Sequence, residues 1–396
     1  MMRGKEGRKK RIKFSQGKQM IAVMFGGIVA FICLVNLITR DKSFSEKENR
    51  MLEQKPELTA AGIESGRFMD QYESYKSDQF AGRNLWVSLK TNVDLLLGKR
   101  ESNGVFKGKE GYLLEDIAVP NQEQLDENLK AMKEFSSDYS NVPFYMLLVP
   151  NAANILSDKL PPLAVTEDQE KQFEDIKKTL QGEYVWVDAQ KALRKHKDEE
   201  IYYRTDHHWT TLGANYVYQE LAKYMELDTS KAPELEPYAV TADFNGTLSA
   251  TSGYKSGYKE PIYIYGAKDL KDEVEIVVTY TDEQRKTATL YDSSKLKGKD
   301  KYAVFFGGNF SVMNIRTTAD STDRLLLVKD SYANCLIPFL VPYYREIIVI
   351  DPRYYYGDIY QVMKENKITS VLFLYNGNTF VEDKSISGVL ESHETE

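Results

Sequence analysis

Four short runs in this chain are apolar almost from end to end: Phe144–Val149, Leu325–Val328, Glu346–Ile350 and Ser370–Tyr375. A strand with one wet face alternates apolar and polar residues. A run without alternation needs cover on both faces. Helical patterns lie between these runs, at Gln122–Phe135, Glu167–Leu180 and Thr211–Met225, with further strands expected at Tyr184–Val187 and Tyr302–Phe306. Such alternation predicts an α/β fold: a mainly parallel sheet with a layer of helices on each face. Sites in these sheets lie at the carboxyl ends of the strands. Asp330-Ser331, Asp351 and Asn376 fall at those ends, and Pro150 closes the first run.

The chain is 396 residues long, enough for one sizeable domain with additions. Its charge is uneven. Residues 1–18 carry eight Lys/Arg and one Glu, about +7, so the total of −7 leaves the remainder near −14. An acidic body argues against nucleic acid as the main partner. Residues 20–38 hold no charged group and are bracketed by Lys18 and Arg40. That length suits a bilayer-spanning helix, and the basic cluster before it predicts a cytoplasmic N-terminus with the body outside. No small-x-small cleavage site follows, which favours an uncleaved anchor over a removed signal peptide. The expected organisation is a basic cytoplasmic tail (1–18), a transmembrane signal anchor (19–39), a juxtamembrane extension (40–118) and a catalytic domain (119–396) in the cell membrane.

The extension contains a helical stretch around Phe68–Leu97 and a hairpin over Gly104–Leu114. Residues 229–300 are polar and rich in Tyr and Gly, with one alternating strand at Glu275–Tyr280, and are read as an insertion outside the core. The 27 tyrosines suit glycan stacking as well as ordinary half-buried strands. Cys33 lies in the anchor and Cys335 in the distal domain, so they cannot pair.

Two segments carry chemistry. Ser331 follows the apolar run ending at Lys329-Asp330 and precedes a helical pattern, a junction that can present a hydroxyl and aim backbone N–H groups at an oxyanion. The competing role for such a serine is a helix N-cap. The second segment, Asp206-His207-His208-Trp209, holds two of the four histidines. In an extended or turned segment, residues two apart share a side, so Asp206 can orient His208 toward a serine while His207 points elsewhere. Adjacent histidines with an aspartate also suit zinc. Gly307-Gly308-Asn309 could supply oxyanion donors at Gly308 and Asn309, or form a plain turn. Arg353 could bind an anionic or hydroxyl-rich ligand, or pair with Asp351. Trp209 and Tyr332 flank the two segments as candidate substrate contacts.

Taken together, Phe44-Ser45-Glu46…Glu48-Asn49-Arg50, Asp78-Gln79-Phe80…Arg83, Arg204–Thr210, Gly307-Gly308-Asn309, Lys329–Asn334 and Asp351–Tyr355 resemble the DHHW family, related to the SGNH-hydrolase-like alginate O-acetyltransferase proteins. The resemblance implies an SGNH-like fold and a triad in the chain order Asp206, His208, Ser331, with no cofactor and no metal. It also implies action on an extracytoplasmic polysaccharide beside a membrane-bound O-acyltransferase partner. Two other readings stay open: a polysaccharide acetylesterase with the same triad, and a non-catalytic glycan-binding subunit.

Overall fold

The computed structural model describes residues 6–45, 50–64, 66–254 and 256–391. The start of the basic tail and Glu46–Asn49 of the first motif lie outside the described residues. The chain divides into two compact units, residues 1–93 and 94–396.

The first unit begins with α1 (Glu6–Ile38), in which Gly17–Ile38 is long and apolar enough to cross a membrane. The expected helical stretch at 68–97 forms as two helices, α2 (Arg67–Asp78) and α3 (Arg83–Leu96). Gly82 breaks them apart by adopting the left-handed conformation, at φ 70°.

The second unit is built on an eight-stranded sheet. In chain order its strands are β1 (Phe144–Val149), β2 (Val185–Trp186), β3 (Ile276–Tyr280), β4 (Arg285–Thr287), β5 (Val312–Thr317), β6 (Arg324–Lys329), β7 (Glu346–Ile350) and β8 (Ser370–Asn376). Their spatial order is β4-β3-β5-β7-β6-β8-β1-β2. The five strands from β7 to β2 are parallel, and β5, β3 and β4 add an antiparallel edge.

The absence of alternation in the apolar runs has the expected cause. Phe144, Met146, Leu148, Leu326, Val328, Ile348 and Phe373 pack on one face, with α4 (Gln122–Asp138), α5 (Gln169–Thr179) and α7 (Ile359–Asn366). Tyr145, Leu147, Val149, Leu325, Leu327, Val349 and Leu372 pack on the other, with α6 (Thr211–Tyr224). Successive side chains of one strand thus enter two different cores.

Two expectations are corrected. Tyr302–Phe306 is not a strand: Tyr302–Val304 forms a 3₁₀ turn, and Phe306 takes a positive φ of 64°. A short apolar run buried in either form looks the same in sequence. Residues 229–300 are not wholly outside the core, because they supply β3 and β4; a separate hairpin, Leu235–Phe244 with Glu260–Ala267, fills the part before them. The second compact unit begins at residue 94, within the stretch read as the extension. The small sheet of Glu101–Ser102, Val105–Lys107 and Leu113–Glu115 belongs to the second unit, where the Leu113 N–H donates to the Arg204 carbonyl at 2.7 Å.

Leu326 lies at the centre of the sheet with no exposure. Leu326→Ala is expected to cost about 2–5 kcal/mol of stability by leaving a cavity between sheet and helices. Urea unfolding followed by far-UV circular dichroism measures it; a loss below 1 kcal/mol, by the same scale, would contradict a tightly packed layer there.

Candidate active site

The segment Ile201–Thr210 folds back on itself. Tyr202 bridges Trp209, the Tyr203 N–H donates to the His208 carbonyl at 3.3 Å, and the Thr210 N–H donates to the Ile201 carbonyl at 2.9 Å. Asp206 and His208 are thereby held near the tip. Thr210 then caps α6, accepting from the Gly213 N–H at 3.2 Å.

Residues of the supposed insertion grip this loop. The Glu260 carboxylate accepts from the Arg204 and Thr205 N–H groups and from the Thr205 hydroxyl, all within 3.0 Å. The Thr247 N–H and hydroxyl donate to Asp206 Oδ2 at 3.0 and 3.1 Å. Gly246 passes so close that a Cβ there would sit 2.2 Å from the Asp206 Cβ, so only glycine fits.

Ser331 comes from the carboxyl end of β6. Asp330, not Ser331, caps the 3₁₀ turn Ser331–Cys335, accepting from the Tyr332 N–H at 2.8 Å. The other Asp330 oxygen accepts from the Asn376 N–H at 3.0 Å, which ties the ends of β6 and β8 together. The Ser331 hydroxyl is therefore free of capping. Its Oγ lies 2.8 Å from His208 Nε2, and His208 Nδ1 lies 2.6 Å from Asp206 Oδ1. The three expected residues meet across more than 120 residues of chain. His208 stacks on Tyr302, ring centroids 3.8 Å apart at 14°, which fixes the imidazole plane.

Burial alone raises the Asp206 carboxyl, but the charges of His207 and His208, with hydrogen bonds from His208 and Thr247, outweigh it and hold the group well below the usual carboxylate range. Burial and the charge of His208 push the His207 imidazole down, against Asp206, Glu115 and Asp330. His207 Nδ1 lies 3.1 Å from Thr247 Oγ1. Asp206, His207 and His208 bring potential metal-ligand atoms within 4.8 Å of one another. Both His208 nitrogens are engaged by Asp206 and Ser331, an arrangement suited to proton transfer.

The remaining candidates separate. Asn309 is tied to residues on either side of Ser331: its Oδ1 accepts from Lys329 Nζ and from Asn334 Nδ2, each at 3.1 Å. An ammonium can only donate, so the Asn309 oxygen faces Lys329 and its NH₂ faces away. Lys329 is fully buried, and burial lowers its pKa against the opposing pull of Asp351, 3.5 Å away. Gly308 is weaker as an oxyanion donor than expected, because its N–H lies toward the Phe305 carbonyl at 3.4 Å. Arg353 forks onto Asp351 at 2.8 and 2.7 Å, the pairing reading. Trp209 and Tyr332 are corrected: both are buried, Trp209 donates to the Tyr332 carbonyl at 2.9 Å, and the Tyr332 hydroxyl donates to the His207 carbonyl. They brace the two segments from beneath rather than face a substrate. Thr247 and Glu260 were missed, since single residues of common type carry no local signal of a contact with a loop 40 to 55 residues away, and Tyr302 was read only as part of an apolar strand.

A mainly parallel α/β sheet thus places a serine, an imidazole and a carboxylate in a hydrogen-bonded chain at the carboxyl ends of its strands. Residues 105–297, just under half of the chain, match the family model of the SGNH hydrolase-like domain, acetyltransferase AlgX. That stretch contains Asp206 and His208, and Ser331 lies beyond it. The chain is 25% identical over 166 residues to the probable alginate O-acetylase AlgJ of Pseudomonas aeruginosa, covering 40% of this chain and 42% of that protein. It thus spans less than half the length of that relative. Its fold is similar to a DHHW family protein from Eubacterium siraeum (24% identity, 74% of this chain and 98% of that one, TM-score 0.62). It is also similar to Bacillus cereus PatB1 with a sulfonyl adduct (21% identity, 71% and 96%, TM-score 0.59). Residues 105–297 are thus similar to the SGNH hydrolase-like acetyltransferase domain, and part of the chain is similar to AlgJ.

Because the folded state depresses the Asp206 pKa, its contribution to stability is fully present above the ordinary aspartate value, about 3.9, and is lost as pH falls toward the folded value. Asp206→Asn removes that term. Wild type should lose stability more steeply than Asp206→Asn below about pH 4 in urea titrations; parallel pH profiles would show that Asp206 is not held as the buried anion.

Proposed function

We propose that this chain is an extracytoplasmic O-acetyltransferase that acts on a cell-surface or secreted polysaccharide through a Ser331 acyl-enzyme. The observation that carries this reading is the continuous chain from Asp206 through His208 to the partly exposed Ser331 hydroxyl. The AlgX-type domain match and the AlgJ relative support acetyl transfer as the chemistry.

Ser331 Oγ attacks the carbonyl carbon of an acetyl donor while His208 Nε2 takes its proton. Asp206 accepts from Nδ1–H and stabilises the imidazolium. The carbonyl π electrons move to oxygen, where the outward NH₂ of Asn309 donates. Collapse expels the donor's leaving oxygen, which takes the proton from His208, and the acetyl group remains on Ser331. A sugar hydroxyl then repeats the sequence in reverse: His208 removes its proton, its oxygen attacks the acyl carbon, and Ser331 regains its hydrogen. Every step uses groups of this chain, so neither a cofactor nor a metal is required.

The apolar Gly17–Ile38 helix and the basic residues before it support an anchor with the N-terminus in the cytoplasm and the body outside. Acetyl groups made inside must then cross the bilayer, which calls for a membrane-bound O-acyltransferase as partner.

Purified full-length chain, an activated acetyl ester and a hydroxyl-bearing oligosaccharide test this reading. Ser331→Ala should abolish acetyl transfer. Asn309→Ala should slow it about 10²–10³-fold with little change in KM, the signature of a lost transition-state donor. Undiminished transfer by Ser331→Ala would exclude the acyl-enzyme. Acetate release without acetylated sugar would make the protein an esterase.

A further inference from the structure

The Asp78-Gln79-Phe80…Arg83 motif takes no part in the chemistry above; it sits in the first unit, in the turn between α2 and α3. It is tied to the segment that follows α1. Gln79 Oε1 accepts from the Lys42 N–H at 2.9 Å, and its Nε2 donates to the Lys42 and Glu53 carbonyls at 2.9 and 3.0 Å. Asp78 Oδ2 accepts from the Glu53 N–H at 2.9 Å, and the Tyr75 hydroxyl donates to Asp41 Oδ2 at 2.8 Å.

The tie reaches α1 itself. Asn36, two residues before the end of α1, donates from Nδ2 to the Ile32 carbonyl at 2.9 Å and accepts at Oδ1 from the Ala81 N–H at 2.9 Å. A polar side chain inside an apolar helix is thereby satisfied, and the chain two residues ahead of α3 is pinned beside the C-terminal end of α1. The 22-residue apolar stretch measures about 33 Å, close to the ~30 Å of a bilayer's hydrocarbon. In a bilayer-spanning α1, Asn36 would lie near the level of the membrane surface, with the start of α3 beside it.

The faces of α3 are inverted relative to a helix of a soluble body. Leu85, Trp86, Leu89, Val93 and Leu96 are exposed, Leu85 by 70% and Leu96 by 87%, while Thr91 is buried at 1%. At 100° per residue the exposed residues share one face about 100° wide. Leucines with a tryptophan on one face, bordered by Lys90 and Asn92, have the composition of a helix lying in the lipid interface. We propose that α3 lies on the bilayer that α1 spans, with this face in the acyl-headgroup boundary of the leaflet at the C-terminal end of α1. The motif would act as a collar fixing α3 at that depth. This inference rests on the reading of α1 as a membrane span.

Spin labels on the full-length protein in phosphatidylethanolamine/phosphatidylglycerol nanodiscs test it. In a Cys33→Ala background, Cys335 being buried, single labels are placed by Leu89→Cys, Val93→Cys, Asn84→Cys and Val29→Cys. Power saturation then compares collisions with oxygen, which partitions into lipid, and with a water-soluble nickel chelate. The expected result is oxygen-dominated relaxation at Leu89→Cys and Val93→Cys, as at Val29→Cys, with the nickel chelate dominant at Asn84→Cys. Nickel-dominated relaxation at residues 89 and 93 with a lipid-exposed residue 29 would overturn the proposal and leave the anchor intact. Labels at 89 and 93 shielded from both agents would overturn it in favour of a protein partner or second copy. A water-exposed residue 29 would remove the anchor reading itself.

Discussion

Asp206 divides its two carboxylate oxygens between two parts of the chain, and the site depends on that division. Oδ1 accepts from the His208 ring at 2.6 Å and from the His208 N–H at 3.0 Å. Oδ2 accepts from Thr247, some forty residues on. One buried anion thus orients the imidazole and fastens the loop that carries it to the segment before Glu260. Buried charge is tolerable because each oxygen is hydrogen-bonded. The absence of a side chain at Gly246 lets the Asp206 loop and the Gly246–Thr247 segment meet at van der Waals range.

A second buried set of charges serves the other half of the site. Lys329 and Asp351 are both fully buried, Arg353 forks onto Asp351, and Lys329 reaches Asn309. Burying these groups is costly unless they meet one another. Their arrangement fixes which way the Asn309 amide faces, so the cost is tied to a definite orientation beside the Ser331 turn. Asp330 completes the edge by capping that turn and bonding the end of β8, which leaves the Ser331 hydroxyl for His208.

The parallel core was legible because its signal is local and strong. Runs such as Phe144–Val149 bury every residue, and only a sheet covered on both faces asks for that. Asp206, His208 and Ser331 were legible because two histidines stand together and a serine ends an apolar strand. Tyr302 misled for a physical reason: an apolar pentamer buried as a 3₁₀ turn and one buried as a strand have the same composition. Thr247 and Glu260 were invisible because their roles arise from contacts with a loop 40 to 55 residues earlier, not from spacing. Trp209 and Tyr332 were legible as neighbours of the chemistry, but their burial, which decides between bracing and binding, is a property of the fold.

The most direct test of the acyl-enzyme is the intact mass of the full-length protein after brief exposure to an activated acetyl ester, for wild type and Ser331→Ala. A Ser331 acyl-enzyme requires one acetyl-sized increase in wild type, mapped to the peptide containing Ser331, and none in the variant. An equal increase in both proteins, or none in either with equally slow ester turnover, would contradict it.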